Sequence, residues 1–284
     1  MSRIFLTLLP VTTISCTGRN ADQRKERHRD FTAQPRRHLQ SVDRLGRGTA
    51  AGTCRLVLTS SQAGDGSKVD RLSDYDVILF VTDTAPFVMD EQWIAEFGTP
   101  IVMLRWVDND ALPTQYTRLV IFSDTVRIDF SISPLEAALS GVHEELDLGY
   151  RVVVDKDGLA ASLPAPTYRA YLPTPPSREA FQSLINDFWW DATYVPKYLW
   201  REELFTARVS HEDLRYRYLF PMLDWWLGCK CDWAINMGRA GRYLQRYLPP
   251  AMWSALEETC AGAGLADNWR AFWRLTDLFR DVAR

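Results

Sequence analysis

Short apolar runs separated by turn residues dominate the first half of the chain. Apart from Arg55, residues 55–59 and 77–81 have β-branched or large apolar side chains, and the second run is apolar on both faces, as in a central strand. Residues 128–132 alternate instead, with apolar side chains on one face and Asp129 on the other. A last run follows at 152–154. These patterns predict strands of one sheet.

Helical spacing of apolar residues replaces this pattern after a proline-rich stretch. Five prolines fall between residues 155 and 177 and predict an extended linker over 156–177. The helices predicted beyond it begin at Ser177 and continue at 198–207, 211–228, 230–247 and 267–282. Caps or breaks are expected at Ser177, Pro196, Gly228, Gly262 and Asp267. The predicted fold class is α+β, with a mixed sheet and flanking helices over 53–155 and an all-helical bundle over 178–284.

Charge is unevenly distributed along the chain, although the net charge of the 284 residues is only −3. Residues 1–47 are basic and have almost no apolar periodicity, so 1–52 is predicted to be a flexible, solvated segment. The apolar run at 4–11 is short and interrupted, which makes an export signal the less favoured interpretation. The remaining residues are acidic, which suits a cationic ligand and argues against binding of nucleic acid. A cytoplasmic monomer without a membrane span is expected.

Asp74 and Asp76 flank Tyr75 immediately before the apolar run at 77–81. Two carboxylates on one side of a strand repel each other unless a cation lies between them, and oxygen ligands of this kind suit magnesium. Solvated turn residues or helix caps are the alternative interpretation of such a pair. Ser60 and Ser61 follow the preceding run and form a small-residue turn that can approach a triphosphate.

Asp129 is the candidate for a third carboxylate of the same site. If its strand lies beside the strand of Asp74 and Asp76, the three acids can hold two magnesium ions, one at the attacking oxygen and one at the phosphates. The alternative for Asp129 is an ion pair with Arg127 at the edge of the sheet. Three acids in this order favour chemistry on a nucleotide.

The sequence resembles the aminoglycoside 6-adenylyltransferases, which are streptomycin-modifying enzymes of the polymerase-beta-like nucleotidyltransferase superfamily. The resemblance covers residues 53 to 284 and rests on segments 60–63, 73–77, 128–130, 134–136, 187–189, 194–195, 197, 201, 203, 225, 228, 238–239, 242–244 and 246–248. It implies a nucleotidyltransferase domain over 53–155 and a substrate-binding domain over 178–284. It also implies transfer of AMP from MgATP to a hydroxyl of an aminoglycoside, most simply streptomycin, with release of pyrophosphate and inactivation of the drug.

In this interpretation, Asp74, Asp76 and Asp129 are the catalytic and metal-binding residues. Further residues are expected to contact the substrates, and solvated helix faces are the alternative for the acids among them. The expected nucleotide-binding residues are Ser60, Ser61, Lys197, Arg239 and Arg242, with Arg239 and Arg242 on one helix face. The expected substrate-binding residues are Asp187, Glu203, Trp189 and Tyr194.

Other kinds of chemistry lack their motifs in this sequence. The five cysteines form no metal-binding pattern, and there is no P-loop. Two alternatives to streptomycin adenylylation stay open at this point. One is the same reaction on another small-molecule or protein hydroxyl, and the other is a non-catalytic protein that still binds nucleotide.

Overall fold

A computed structural model of the chain describes residues 54–59, 73–107, 115–139, 144–155 and 158–284. These residues form two compact units, one up to residue 170 and one from residue 171 to 284. The boundary between the units falls within the segment 156–177, for which the sequence predicts a linker. The first unit contains a sheet and the second is helical, so the fold is α+β.

The first unit is built on a mixed sheet in the order β3-β4-β5-β2-β1-β6, in which β2 and β5 run parallel and the other neighbours are antiparallel. Its strands are β1 (Cys54–Thr59), β2 (Tyr75–Val81), β3 (Pro100–Val107), β4 (Tyr116–Phe122), β5 (Arg127–Pro134) and β6 (Tyr150–Asp155). The four strands expected from the apolar runs are confirmed. The hairpin of β3 and β4 was not predicted.

Both faces of β2 are covered, as its uninterrupted apolar run indicates. On one face, Phe130 meets Trp93 and Phe97 edge to face, with ring centroids 4.9 and 4.8 Å apart. On the other face, Ile78 and Phe80 pack with apolar residues of the 144–163 segment. The covering elements are helix α1 (Ala85–Met89), helix α2 (Leu135–Leu139) and 3₁₀ turns at Gln92–Glu96, Glu144–Leu148 and Leu159–Ser162. Asp76 lies on the second face, because side chains alternate along the strand.

The second unit is a bundle whose core includes Phe188 stacked on Phe279, with centroids 3.6 Å apart. Its elements are α3 (Arg178–Ala192), α4 (Tyr194–Trp200), α5 (Leu204–Leu214), a π-helical turn (Arg215–Leu219), α6 (Phe220–Lys230), a 3₁₀ turn (Arg239–Gly241), α7 (Leu244–Tyr247), α8 (Pro250–Glu257) and α9 (Leu265–Val282). No helix among the residues that the structure describes is long and apolar enough to cross a membrane.

One predicted cap and one predicted break agree with these bounds, whereas the cap predicted at Asp267 is wrong. Ser177 caps α3 and accepts a hydrogen bond from the Ala180 N–H at 3.1 Å. Asp267 lies in the first turn of α9, where its carboxylate accepts from the Gly264 N–H, so that Gly264 is the cap residue itself. The helix interruption expected near Pro196 occurs between α3 and α4.

Three of the predicted helices are wrong in their bounds. The helix predicted at 230–247 is broken, because Gly238, Ala240 and Gly241 have φ angles of 69°, 54° and 74°, which a right-handed helix does not allow. The helix predicted at 198–207 is interrupted between α4 and α5. The helix predicted at 211–228 belongs to a longer helical stretch that begins in α5 and continues past Gly228 to the end of α6.

Candidate active site

Asp76 and Asp129 are direct register partners on the neighbouring parallel strands β2 and β5. The alternation predicted for β5 is confirmed, since Ile128, Phe130 and Ile132 are buried while Asp129 is half-buried on the opposite face. Asp74 precedes β2 by one residue. The strand pairing required for the three acids to share one edge of the sheet is therefore present.

Arg127 occupies the space beside these acids. It lies two residues before Asp129 on the same face of β5, and its Nε and Nη2 donate to the two carboxylate oxygens of Asp129 at 2.9 and 2.7 Å. Its Nη1 is 3.6 Å from an oxygen of Asp74. The hydrogen bond to Asp129 raises the pKa of Arg127 above its usual value, and the charges of Asp129, Asp74 and Asp76 act in the same direction. The ion pair considered as the alternative for Asp129 is thus formed.

The three acids supply the oxygen donors that magnesium prefers, and two of them already share one cationic group, the Arg127 guanidinium. In the present side-chain positions, however, no three His, Cys, Asp or Glu side chains of the described residues come together closely enough to hold a metal ion. The three carboxylates are chemically suitable ligands for magnesium. Both oxygens of Asp129, however, accept hydrogen bonds from Arg127.

An exposed apolar surface continues from Asp129 across β4 and β3. Leu119 is the register partner of Asp129, and Leu104 is the partner of Leu119, so all three side chains share one face. Trp106, two residues further along β3, shares this face and is 65% exposed. The sequence pattern does not predict β3 and β4 as strands, so this surface is recognised only in the folded structure.

The remaining predicted site residues have different surroundings. Ser60 and Ser61 lie outside the described residues. Arg239 and Arg242 do not share a helix face, since Arg239 is in a 3₁₀ turn and positive φ angles at Ala240 and Gly241 separate it from Arg242; this prediction is wrong.

The aromatic residues predicted to contact substrate are each paired with a cation. The ammonium of Lys197 lies 4.6 Å from the centre of the Tyr194 ring, so this lysine rests on the aromatic face. Trp189 is partly exposed, and Arg280 lies over its ring at 5.6 Å.

A cavity of about 230 Å³ in the helical unit contains another acidic and aromatic cluster. Its lining residues are Asp191, Tyr194, Tyr198, Ser210, Asp213 and Arg217. Tyr194 is the one predicted substrate-binding residue among them, while Asp187, Trp189 and Glu203 are absent from the lining. The feature of the sequence that could have identified this cavity is the spacing of Asp191 and Tyr194, which lie three residues apart on either side of the break between α3 and α4.

Asp191 is the most constrained acid of this cavity. It accepts a hydrogen bond from the Tyr218 hydroxyl at 2.5 Å and lies 3.7 Å from the Arg217 guanidinium. Burial, followed by this hydrogen bond, raises the pKa of Tyr218 to about 12. Tyr194 and Tyr198 stack beside it with centroids 6.2 Å apart and an interplanar angle of 18°. Carboxylates beside aromatic faces favour a cationic ligand.

Comparisons with known proteins agree on one family. Residues 52–284 match the model of the family described as streptomycin adenylyltransferase. An aminoglycoside 6-adenylyltransferase of Campylobacter jejuni is 28% identical over 231 residues, which are 80% of each chain. A Bacillus subtilis protein of the same name is 27% identical over 235 residues, covering 81% of this chain and 82% of the relative.

A crystal structure of an aminoglycoside 6-adenyltransferase from Bacillus subtilis also aligns with the chain. The alignment has 23% identity, covers 87% of this chain and 88% of the other, and has a TM-score of 0.40.

Proposed function

Because the chain belongs to the streptomycin adenylyltransferase family, it is an aminoglycoside nucleotidyltransferase, and we propose that it transfers AMP from MgATP to a hydroxyl of streptomycin. Pyrophosphate is released, and the modified drug is inactive. The observation that carries the proposal is the register of Asp76 opposite Asp129, with Asp74 close enough to share a cationic partner with Asp129. ATP is the co-substrate, which favours a cytoplasmic site of action.

The three acids have separate parts in the proposed reaction. Asp74 and Asp76 would bind magnesium, and Asp129 would complete the metal site and accept the proton of the attacking hydroxyl. Two magnesium ions held there would supply neutralisation of the charge on the triphosphate and on the attacking oxygen. Transfer of a nucleotidyl group requires mainly positioning and charge neutralisation, which acids held on two paired strands supply.

The apolar surface beside Asp129 is proposed to hold the adenine ring. Leu104 and Trp106 lie two strands away from Asp129, which corresponds to about 10 Å across the sheet. A purine stacked on Trp106 can therefore extend its triphosphate towards the acids. Ser60, Ser61, Lys197, Arg239 and Arg242 remain proposed contacts of the triphosphate.

The cavity of the helical unit is proposed to bind a cationic group of the aminoglycoside. Asp191 and Asp213 supply negative charge, and the stacked Tyr194 and Tyr198 supply an aromatic wall. Lys197, whose ammonium lies 4.6 Å from the centre of the Tyr194 ring, supports cation binding by this aromatic wall.

Asp187, Glu203 and Trp189 are not part of that lining, and we retain them as proposed secondary contacts of the substrate. Asp187 and Glu203 are exposed acids that can attract the cationic drug.

Pyrophosphate release from MgATP tests the proposed function. Release is expected with streptomycin and is expected to be lost in Asp129→Asn. The matched control is Asp124→Asn, in the turn before β5, because asparagine can still accept the hydrogen bond that Asp124 receives from the Val126 N–H. Kanamycin and spectinomycin serve as rival acceptors. Release with kanamycin but not streptomycin would refute the proposed acceptor, and no release with any acceptor from folded protein would refute the reaction.

A further inference from the structure

Arg127 is held by the acids of the candidate active site and by no other group among the described residues. Its hydrogen bonds and ion pairs there go to Asp129 and Asp74. Arg118, on the neighbouring strand β4, provides a contrast. Its side chain is buried, it bonds to Glu91, and it also donates to backbone carbonyl groups.

This difference indicates different roles for the two arginines. Arg118 is fixed within the sheet unit, and its backbone partners cannot leave without unfolding. The side chain of Arg127 is 44% exposed, so its guanidinium can move into water once the carboxylates are otherwise neutralised. Among the described residues, the side chain of Arg127 is paired with the proposed catalytic acids alone, which is the arrangement of a counterion.

The same carboxylate oxygens would have to bind both Arg127 and a metal ion. The guanidinium contacts both oxygens of Asp129, and it also approaches Asp74. A metal ion that takes an oxygen of Asp129 therefore competes with a charge-assisted hydrogen bond.

We propose that Arg127 is the resident counterion of the three aspartates, and that a divalent metal ion binds by displacing its guanidinium from Asp129. The inference rests on the proposed function, which requires that metal ion. Arg127 is a positioning residue in this scheme. It keeps the acids together while the metal is absent and weakens metal binding by competition.

Mn²⁺ binding to the metal-free full-length protein tests the inference without ATP or drug. Free Mn²⁺ is measured by electron paramagnetic resonance for the wild type, Arg127→Met, Arg127→Lys and the control Arg105→Met. Arg105 also forms a two-point ion pair, with Glu91, but contacts none of the three aspartates. The Kd for Mn²⁺ is expected to fall roughly 3- to 10-fold in Arg127→Met, as the loss of one partly exposed ion pair predicts.

Arg127→Lys is expected to lower the Kd for Mn²⁺ by less, because lysine keeps the positive charge but cannot form the bidentate hydrogen bonds of arginine to the Asp129 carboxylate. Arg105→Met should leave the Kd unchanged. Thermal unfolding of each variant shows that it is folded. If Arg127→Met does not fold, the Kd of Arg127→Lys tests the inference.

An unchanged or higher Kd in the Arg127 variants would overturn the inference, as would failure of both wild type and variants to bind Mn²⁺. An equal decrease of the Kd in Arg105→Met would also overturn it, since the effect would then come from the loss of any one positive charge on the protein. Tighter Mn²⁺ binding together with no pyrophosphate release would support the inference and separately refute the proposed function.

Discussion

Gly228→Ala is expected to destabilise the protein, although alanine is the better helix former. Gly228 lies inside α6, and a Cβ added there would come within 2.5 Å of Cζ3 of Trp233, whereas ordinary contact begins near 3.4 Å. The indole ring cannot easily move away, because the backbone of Trp233 is fixed. Its backbone N–H donates to the Gly228 carbonyl at 2.9 Å, and its φ angle is 57°. Overpacking costs about 1–3 kcal/mol, and the gain in helix propensity offsets about 1 kcal/mol of this.

Because the added Cβ would lie far inside ordinary contact distance, the upper part of this range applies, and the net loss of up to about 2 kcal/mol should lower the Tm by up to roughly 10 °C. Urea unfolding followed by far-ultraviolet circular dichroism measures it, because this signal reports mainly the helical unit. In a Trp233→Leu background the same Gly228→Ala change should be neutral or slightly stabilising, since the clash is gone. An equal destabilisation in both backgrounds would refute the argument, and so would a stabilised single variant.

Three further outcomes follow from the site and the core. Trp106→Ala should raise the KM for ATP roughly tenfold in initial-rate assays, because one base-stacking contact is lost; an equal rise in the control Trp200→Ala, another exposed tryptophan, would contradict this. Asp213→Asn should raise the KM for streptomycin about 3- to 10-fold with little change in kcat, while Asp277→Asn should change neither; an unchanged KM in Asp213→Asn would refute the role of the cavity. Burial lowers the pKa of His211 in the native state, so the unfolded chain binds the proton first as the pH falls. The free energy of unfolding should therefore decrease as the pH drops below about 6.5, and this decrease should be smaller in His211→Gln.

The sequence predicted the elements whose signal is local. Alternation of apolar and polar residues identified β5 and assigned Asp129 to the face opposite Phe130, because side-chain direction in a strand depends only on position along it. The hydroxyl of Ser177 similarly identified the start of α3. The hairpin of β3 and β4 is not among the predicted elements, although its residues are largely apolar, because a short apolar run does not by itself distinguish a strand from a buried helical segment.

Where tertiary packing determines the backbone, the local sequence pattern does not predict the structure. The helix predicted at 230–247 has suitable apolar spacing, yet the chain takes positive φ angles at Asp232, Trp233 and Ala240. Such angles are costly for residues other than glycine and persist only when tertiary contacts compensate for them. The separation of Arg239 from Arg242 is therefore a consequence of the tertiary structure.

The sequence by itself determined which residues could carry the chemistry: three aspartates on predicted strands and a second half rich in aromatic residues. The tertiary structure decided their partners. It placed Asp76 opposite Asp129, inserted Arg127 between Asp129 and Asp74, and brought Asp191 to Tyr218. The physical reason is that local periodicity specifies the direction of each side chain, whereas strand register and helix packing depend on contacts between residues far apart in the sequence.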